Sequence, residues 1–351
     1  MATRSQARRL LGSLVGLSTL GWLTTATATS VVAHGPVPAE PPSVASLLLG
    51  WTFEPLPTIG IAVAAGWWWW AVRRVNAAHP ANRVPARRSA AFAAGLTALA
   101  LGLLSGIDRY DTTLFSVHMV QHVLLTLVAA PLIALAAPIT LILRVSSPAT
   151  RRRWVLPVLH SRLVRFLAFP VVAWLIFAAV MWVAHFSPLF DAALEDPLIH
   201  DFEHALFLGS ALLFWWPAVA LDPAPWRMPH PARALYLFLQ MTQNTFLAVV
   251  LLNVGVALYA HYATLAVPWG TSALADQATA AGIMWLAGDA IFLVAILAVV
   301  AGWMQADARD SGRADRRAAA EMVDIRVRER RLAERLARER DEGQSGSGAS
   351  R

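Results

Sequence analysis

The chain has 351 residues, of which 57% are hydrophobic and only 15% are charged, with a net charge of +7. Soluble domains carry about 45–50% apolar and about 25% charged residues, so this composition favours one membrane domain over two soluble ones. The chain contains no cysteine, which excludes disulfides, thiolate catalysis and cysteine-based metal sites.

Residues 1–33 have the pattern of a secretory signal peptide. Three arginines precede an apolar core from Leu10 to Leu23, and Val31 to Ala33 fits a cleavage site. Cleavage there would leave His34 at the new N-terminus, whereas an uncleaved anchor helix is the alternative. Residues 34–55 include a proline-rich stretch and are predicted to form an extended extracytoplasmic linker.

Seven apolar segments follow, and each is long enough to cross about 30 Å of hydrocarbon as a helix. They lie near residues 57–75, 88–107, 117–143, 163–185, 198–220, 233–259 and 278–304. The sequence therefore predicts an all-α fold, a polytopic membrane bundle of about seven transmembrane helices within 56–304. Residues 305–351 are predicted to form a cytoplasmic tail rich in Arg and Glu, partly helical and then disordered.

The loops between these segments predict the orientation. Arginine-rich loops at 71–88, 144–165 and 221–233 alternate with loops rich in acidic residues. Basic loops stay on the cytoplasmic side, so the N-terminus is predicted outside and the C-terminus inside a bacterial-type plasma membrane after signal cleavage. The arginines thus indicate topology and contact with membrane lipid, and argue against nucleic-acid binding.

Seven of the 10 histidines then map to the extracytoplasmic face or the outer helix turns. These are His34, His118, His122, His185, His200, His204 and His261. Two pairs share one spacing: one opens the third predicted helix and the other opens the fifth. Residues four apart lie on one helix face, so His118 with His122, and His200 with His204, could each present two imidazoles to one ion. Ionisable groups inside membrane spans are costly, which favours a functional role.

Other residues are candidates for the same site. His185 follows Met181 by four residues, and a thioether with an imidazole suits Cu(I). Met119 adjoins the first pair but is expected to point to a different face. Asp201 and Glu203 could orient the imidazoles by accepting hydrogen bonds, or could instead complement the dipole at a helix N-terminus.

Several further polar residues lie within the predicted spans. Asp289, near the middle of the seventh predicted helix, is interpreted as an interhelical hydrogen-bond partner or as part of a proton or ion relay. Gln121, Gln240, Gln243 and Asn244 are expected to make hydrogen bonds between helices.

Four motifs occur in a fixed order along these helices. The third reads H-M-V-Q-H from His118, the fifth H-D-F-E-H from His200, the sixth carries Q-M-T-Q at Gln240, and the seventh opens D-Q-A-T-A-A-G-I-M-W from Asp276. Together, over about 50–305, they resemble the CtaG family of cytochrome c oxidase assembly factors.

The resemblance implies a role in maturing a heme-copper oxidase, with an oxidase subunit as the partner. It implies delivery or insertion of copper from the extracytoplasmic side, and it carries the family's motif histidines onto His118, His122, His200 and His204. The leading hypothesis is a membrane metallochaperone rather than an enzyme, which would hold copper and pass it on by ligand exchange.

Four alternatives remain open at this point. His200, Glu203 and His204 match the H-x-x-E-H pattern of zinc hydrolases, in which the glutamate is the general base. His118 and His200 could ligate a heme from opposite sides. A copper transporter would need a polar or Met-lined path to the cytoplasm. Finally, the histidines could organise an assembly scaffold that binds no metal.

Overall fold

The computed structural model describes residues 37–265 and 267–348, with side chains described up to residue 338. The predicted signal peptide and His34 lie outside these described residues. Within them every regular element is a helix. The architecture of the described part is therefore all-α, as the apolar segments predict.

The helices are numbered here in chain order. They are α1 (Val44–Leu49), α2 (Pro55–Ala78), α3 (Ala86–Leu104), α4 (Gly106–Asp111), α5 (Phe115–Val123), α6 (Ala130–Ala136), α7 (Pro138–Val145), α8 (Pro148–Thr150), α9 (Leu156–Leu159), α10 (Arg162–Leu167), α11 (Pro170–Phe186), α12 (Leu189–Glu195), α13 (Pro197–Val219), α14 (His230–Asn253), α15 (Ala260–Thr264) and α16 (Ala273–Gly348). Two π-helical turns, Leu124–Ala129 and Arg151–Val155, join α5 to α6 and α8 to α9.

Four of the described helical stretches are long and apolar enough to cross a membrane. They are Phe115–Val145, Pro197–Val219, His230–Asn253 and Ala273–Arg338. The pair α11 and α12, bent by 69°, makes a fifth if it forms one span. These apolar helices support a multi-pass membrane protein. Seven spans, the orientation of the termini and signal cleavage stay predictions, although α2 and α3 lie where the first two spans were predicted.

Local chemistry explains where the helices around the site begin. Asp196 caps α13, since its Oδ1 accepts the Leu198 N–H at 2.8 Å, and such a cap satisfies an otherwise unpaired donor. Asp276 does the same for α5 from another helix, because its carboxylate accepts the Ser116 N–H at 3.1 Å and also the Ser116 hydroxyl. The first of these contacts fixes the start of α13, and the second fixes α5 against α16.

The segment between α14 and α16 closes one end of the bundle. The Tyr262 hydroxyl donates to the Asp111 carbonyl at 2.5 Å, and the Tyr259 hydroxyl donates to the His185 carbonyl at 3.2 Å. His261 Nε2 donates to the Thr112 carbonyl at 2.8 Å. These bonds hold the segment over the end of the bundle where α4, α5 and α11 meet.

Candidate metal centre

Five histidines from three helices meet at this closed end of the bundle. We call His118, His122, His185, His200 and His204 the histidine cluster; their exposed fractions lie between 0 and 6%. The ring centroids of His118 and His122 are 4.2 Å apart and those of His200 and His204 are 4.1 Å apart. The two pairs also face each other, since the His118 and His200 centroids are separated by 5.6 Å.

The pair on α5 makes a direct contact. His118 Nε2 and His122 Nε2 are 2.8 Å apart, so one of these nitrogens donates a hydrogen bond to the other. Glu203 on α13 is fully buried, and its Oε2 lies 3.7 Å from His118 Nε2. His118 therefore stands between a second imidazole and a carboxylate.

The pair on α13 has different partners. His200 Nε2 lies 3.6 Å from Asp111 Oδ2. His204 Nε2 donates to the Gln121 side-chain oxygen at 2.9 Å, because an amide oxygen can only accept. Gln121 in turn donates to the Gly102 carbonyl at 3.0 Å. The amide of Gln121 thus fixes the tautomer of His204, as second partners of metal-binding histidines commonly do.

Ligand atoms of two residue groups come close enough to hold one ion. Asp111, His118 and His200 form one group, and His118, His122 and Glu203 form the other, with each group's atoms within 4.8 Å of one another. Imidazole and carboxylate ligands at about 2.0–2.2 Å in a tetrahedral site lie about 3.4 Å apart, so the side chains of either group would have to move closer together to bind an ion. His118 belongs to both groups.

Asp111 and its neighbour Asp108 were not among the residues predicted for the site. Both lie on the short helix α4 and are buried. Burial, followed by the nearby charges of Glu54 and Asp201, raises the pKa of Asp108 to about 8. Burial and the charge of Asp108 raise the pKa of Asp111 well above its usual value. A bound cation would offset this cost of burying the carboxylates.

His185 completes the cluster from α11. Its Nδ1 donates to the Met181 carbonyl at 2.6 Å, so the neutral ring carries its lone pair on Nε2. That nitrogen is buried and has no hydrogen-bond partner among the described residues. The His185 ring centroid is 6.5 Å from that of His122. His185 therefore contacts the backbone carbonyl of Met181, and the lone pair of His185 Nε2 stays available.

The other predicted site residues interact with partners other than the imidazoles. Asp201 is half-buried and acts on Asp108 through its charge. Asp289 accepts the Thr245 hydroxyl at 2.8 Å, which joins α14 to α16. Gln240 donates to Gln243 at 2.5 Å within α14. Of the residues predicted for the site, the cluster therefore gathers the histidines, Glu203 and Gln121.

The sequence predicts that Met119 points to a different helix face from the pair His118 and His122. For His122 this prediction is wrong. Met119 and His122 line one small cavity together with Met181. Residues three apart share a helix face. Met119 therefore shares a helix face with His122 rather than with its immediate neighbour His118.

The fold and the cluster define a class: an apolar helical bundle of the membrane type whose interior holds imidazoles and carboxylates. The chain belongs to the cytochrome c oxidase caa3 assembly factor family (Caa3_CtaG), whose sequence model matches residues 66–306. The match contains the whole histidine cluster together with Asp108 and Asp111.

Mycobacterial proteins of uncharacterised function are similar to this chain. Relatives from Mycobacterium bovis and Mycobacterium tuberculosis are 33% identical over 295 residues, covering 81% of this chain and 44% of theirs. One from Mycobacterium leprae is 32% identical over 291 residues, covering 80% of this chain and 43% of its own. The chain thus spans less than half the length of these curated relatives. No solved structure matches the chain.

Proposed function

We propose that this assembly factor binds a copper ion as cargo in the histidine cluster and passes it to a cytochrome c oxidase subunit. The observation that carries the proposal is the convergence of His118, His122 and His200 with Asp111 and Glu203 in a fully enclosed interior. Buried carboxylates are costly without a positive partner, and imidazoles suit copper among the transition metals.

The choice of copper over zinc rests on the family. A factor that assembles a heme-copper oxidase serves an enzyme that needs copper, whereas the residues alone fit either metal. On this proposal the protein releases its cargo by ligand exchange and is not an enzyme. Glu203 fits that view as a potential ligand, because it groups with His118 and His122, whereas in the H-x-x-E-H pattern the glutamate is the general base.

The carboxylates of α4 offer a route for a cation into the cluster. Asp111 contacts His200, and Asp108 lies next along α4. Glu54 and Asp201, which act on Asp108 through their charges, are both half-buried and so reach towards the surface. By the loop charges this end of the bundle is extracytoplasmic, which would let the cargo enter and leave without crossing the membrane.

The test is metal content together with the visible spectrum of the full chain purified in detergent and loaded with copper. The wild type is expected to hold stoichiometric copper and to show no Soret band. His118→Ala is expected to lose the copper, whereas His160→Ala, which changes an exposed loop histidine, should keep it.

Other outcomes would contradict the proposal in recognisable ways. A Soret band lost in His118→Ala would indicate heme instead. Zinc retained in Glu203→Gln, with loss of a hydrolytic activity, would indicate the hydrolase. A wild type that takes up no metal after loading would leave an assembly scaffold.

A further inference from the structure

Three methionines meet in the interior beside the histidine cluster. The chain has eight methionines, and Met119 of α5, Met181 of α11 and Met284 of α16 line one cavity with His122 and Asn244. All three are buried. The cavity also touches Thr126 and Leu127 of the π-helical turn, so it lies further along the bundle than His118.

The size of this cavity suits a single small guest. Its volume is about 10 Å³, which is close to the smallest space that holds one water molecule. An organic ligand is excluded on size. Most of the lining residues are methionines or hydrocarbon side chains, and the polar ones are His122, Thr126 and Asn244.

Packing alone does not account for the arrangement. Methionine is a flexible side chain that fills irregular gaps, yet here three of them from three helices surround a gap that stays open. Their neighbour His122 has one nitrogen engaged, since Nε2 is 2.8 Å from His118 Nε2. Its Nδ1 is buried and has no hydrogen-bond partner among the described residues.

We propose that Met119, Met181, Met284 and His122 form a second, inner site that binds a soft monovalent cation, Cu(I). Thioether sulfur and imidazole nitrogen are the ligands that Cu(I) prefers, and a monovalent ion brings less charge into the apolar interior than a divalent one. The inference deepens the proposed function and rests on it, because it names the oxidation state in which the cargo is held.

His122 would connect the two sites. It belongs to one group of potential ligands with His118 and Glu203, in which the carboxylate would favour a divalent ion. His122 also lines the methionine cavity, and its Nδ1 would offer a lone pair there when its Nε2–H donates to His118. The inner site should therefore favour Cu(I) and Ag(I), whereas zinc should bind only in the group that contains His118.

The test uses the full chain in detergent, titrated without oxygen with Cu(I), with Ag(I) as a redox-inert probe, and separately with Zn(II). The variant is the triple change Met119→Leu, Met181→Leu and Met284→Leu, which nearly conserves volume. Met241→Leu is the matched control, because Met241 is a half-buried methionine of α14 that does not line the cavity.

The triple variant is expected to lose Cu(I) and Ag(I) affinity by more than the roughly 10–100-fold that follows loss of an outer-shell partner. Its Zn(II) affinity and its thermal midpoint should match those of Met241→Leu. X-ray absorption of the copper-loaded wild type should show sulfur neighbours, and that signal should disappear in the triple variant.

Two results would overturn the inner site, and only the second would also overturn the proposed function. Copper with only nitrogen and oxygen neighbours, unchanged in the triple variant but lost in His118→Ala, would remove the inner site and leave the outer one. A wild type that binds neither copper ion after loading would remove both. If the triple variant unfolds, the single variant Met284→Leu carries the same comparison.

Discussion

The two histidine pairs have the same spacing but differ in their surroundings. On α5 the two rings contact each other through Nε2 at 2.8 Å. On α13 the two Nε2 atoms point to different partners, His200 to Asp111 at 3.6 Å and His204 to Gln121 at 2.9 Å. Spacing of four residues places two side chains on one face, but tertiary contacts decide what each ring can bind.

This difference assigns unequal roles to the four imidazoles. His118 belongs to both groups of potential ligands, whereas His204 belongs to neither. A site read from spacing alone would treat the pairs as equivalent. Substitutions in one pair at a time therefore test whether tertiary contacts, rather than sequence spacing, determine which histidines bind the metal.

The largest effect is expected from His118→Ala. Because this change removes a ligand from both groups, it should abolish stoichiometric copper binding, whereas His204→Ala should weaken binding by about 10–100-fold, as for an outer-shell partner. The measurement is a copper titration of the two variants side by side. Equal losses in both would show that the two pairs act alike and would break the comparison.

A smaller effect is expected from Asp111→Asn, which keeps the shape of the side chain and removes its charge. Copper affinity should fall by about 10–100-fold, because His200 loses its neighbouring carboxylate. Without metal, the variant should be at least as thermostable as the wild type, since burial raises the pKa of Asp111 and so opposes its charged form.

The matched control for this change is Asp307→Asn, an exposed aspartate of α16. It should alter neither copper affinity nor the thermal midpoint. Unchanged copper binding in Asp111→Asn would remove α4 from the centre and leave the group of His118, His122 and Glu203.

A third effect is expected from Gln121→Leu. The change leaves the buried N–H of His204 without its amide acceptor, which costs about 1–3 kcal/mol of stability. Copper affinity should fall less than in His118→Ala, because the ring would lose its orientation but keep its nitrogens. Denaturation and copper titration of the same preparation measure both quantities. A fully stable variant would argue against a fixed tautomer for His204.

The sequence predicts the fold better than it predicts the site. Apolar segments longer than about 17 residues are strong signals, and each overlaps helix in the described chain, although 117–143 and 163–185 are divided among several helices. The number of spans is harder to predict, because α2 carries four tryptophans and two arginines in its C-terminal half, α3 begins with two arginines, and α11 ends at Phe186 before the bend into α12. Hydropathy does not determine how such helices cross a bilayer.

For the site, spacing within one helix predicts the paired histidines. The predicted depth of His185 in the membrane, at the outer end of its span, predicts that it lies near them. The contribution of α4 depends on tertiary packing. A signal for it is present in G-I-D-R-Y-D, where two aspartates three residues apart lie in the short connection before the third predicted span, which begins next to His118. The methionine cavity is not predictable from the sequence, because its methionines come from three helices that are distant in the chain.

The smallest effect is expected from Thr245→Val, which removes the hydroxyl that donates to Asp289 at 2.8 Å between α14 and α16. Hydrogen bonds between membrane helices contribute about 0.6–1.7 kcal/mol, so stability should fall by that amount. Copper affinity should stay at the wild-type value, because neither residue belongs to the histidine cluster. If Thr245→Val lowers copper affinity as much as Gln121→Leu does, then loosening the bundle anywhere weakens binding, and Gln121 has no specific role in orienting His204. If copper affinity holds while stability falls, the two properties separate, and losses caused by changes near the cluster can be ascribed to the ligands themselves.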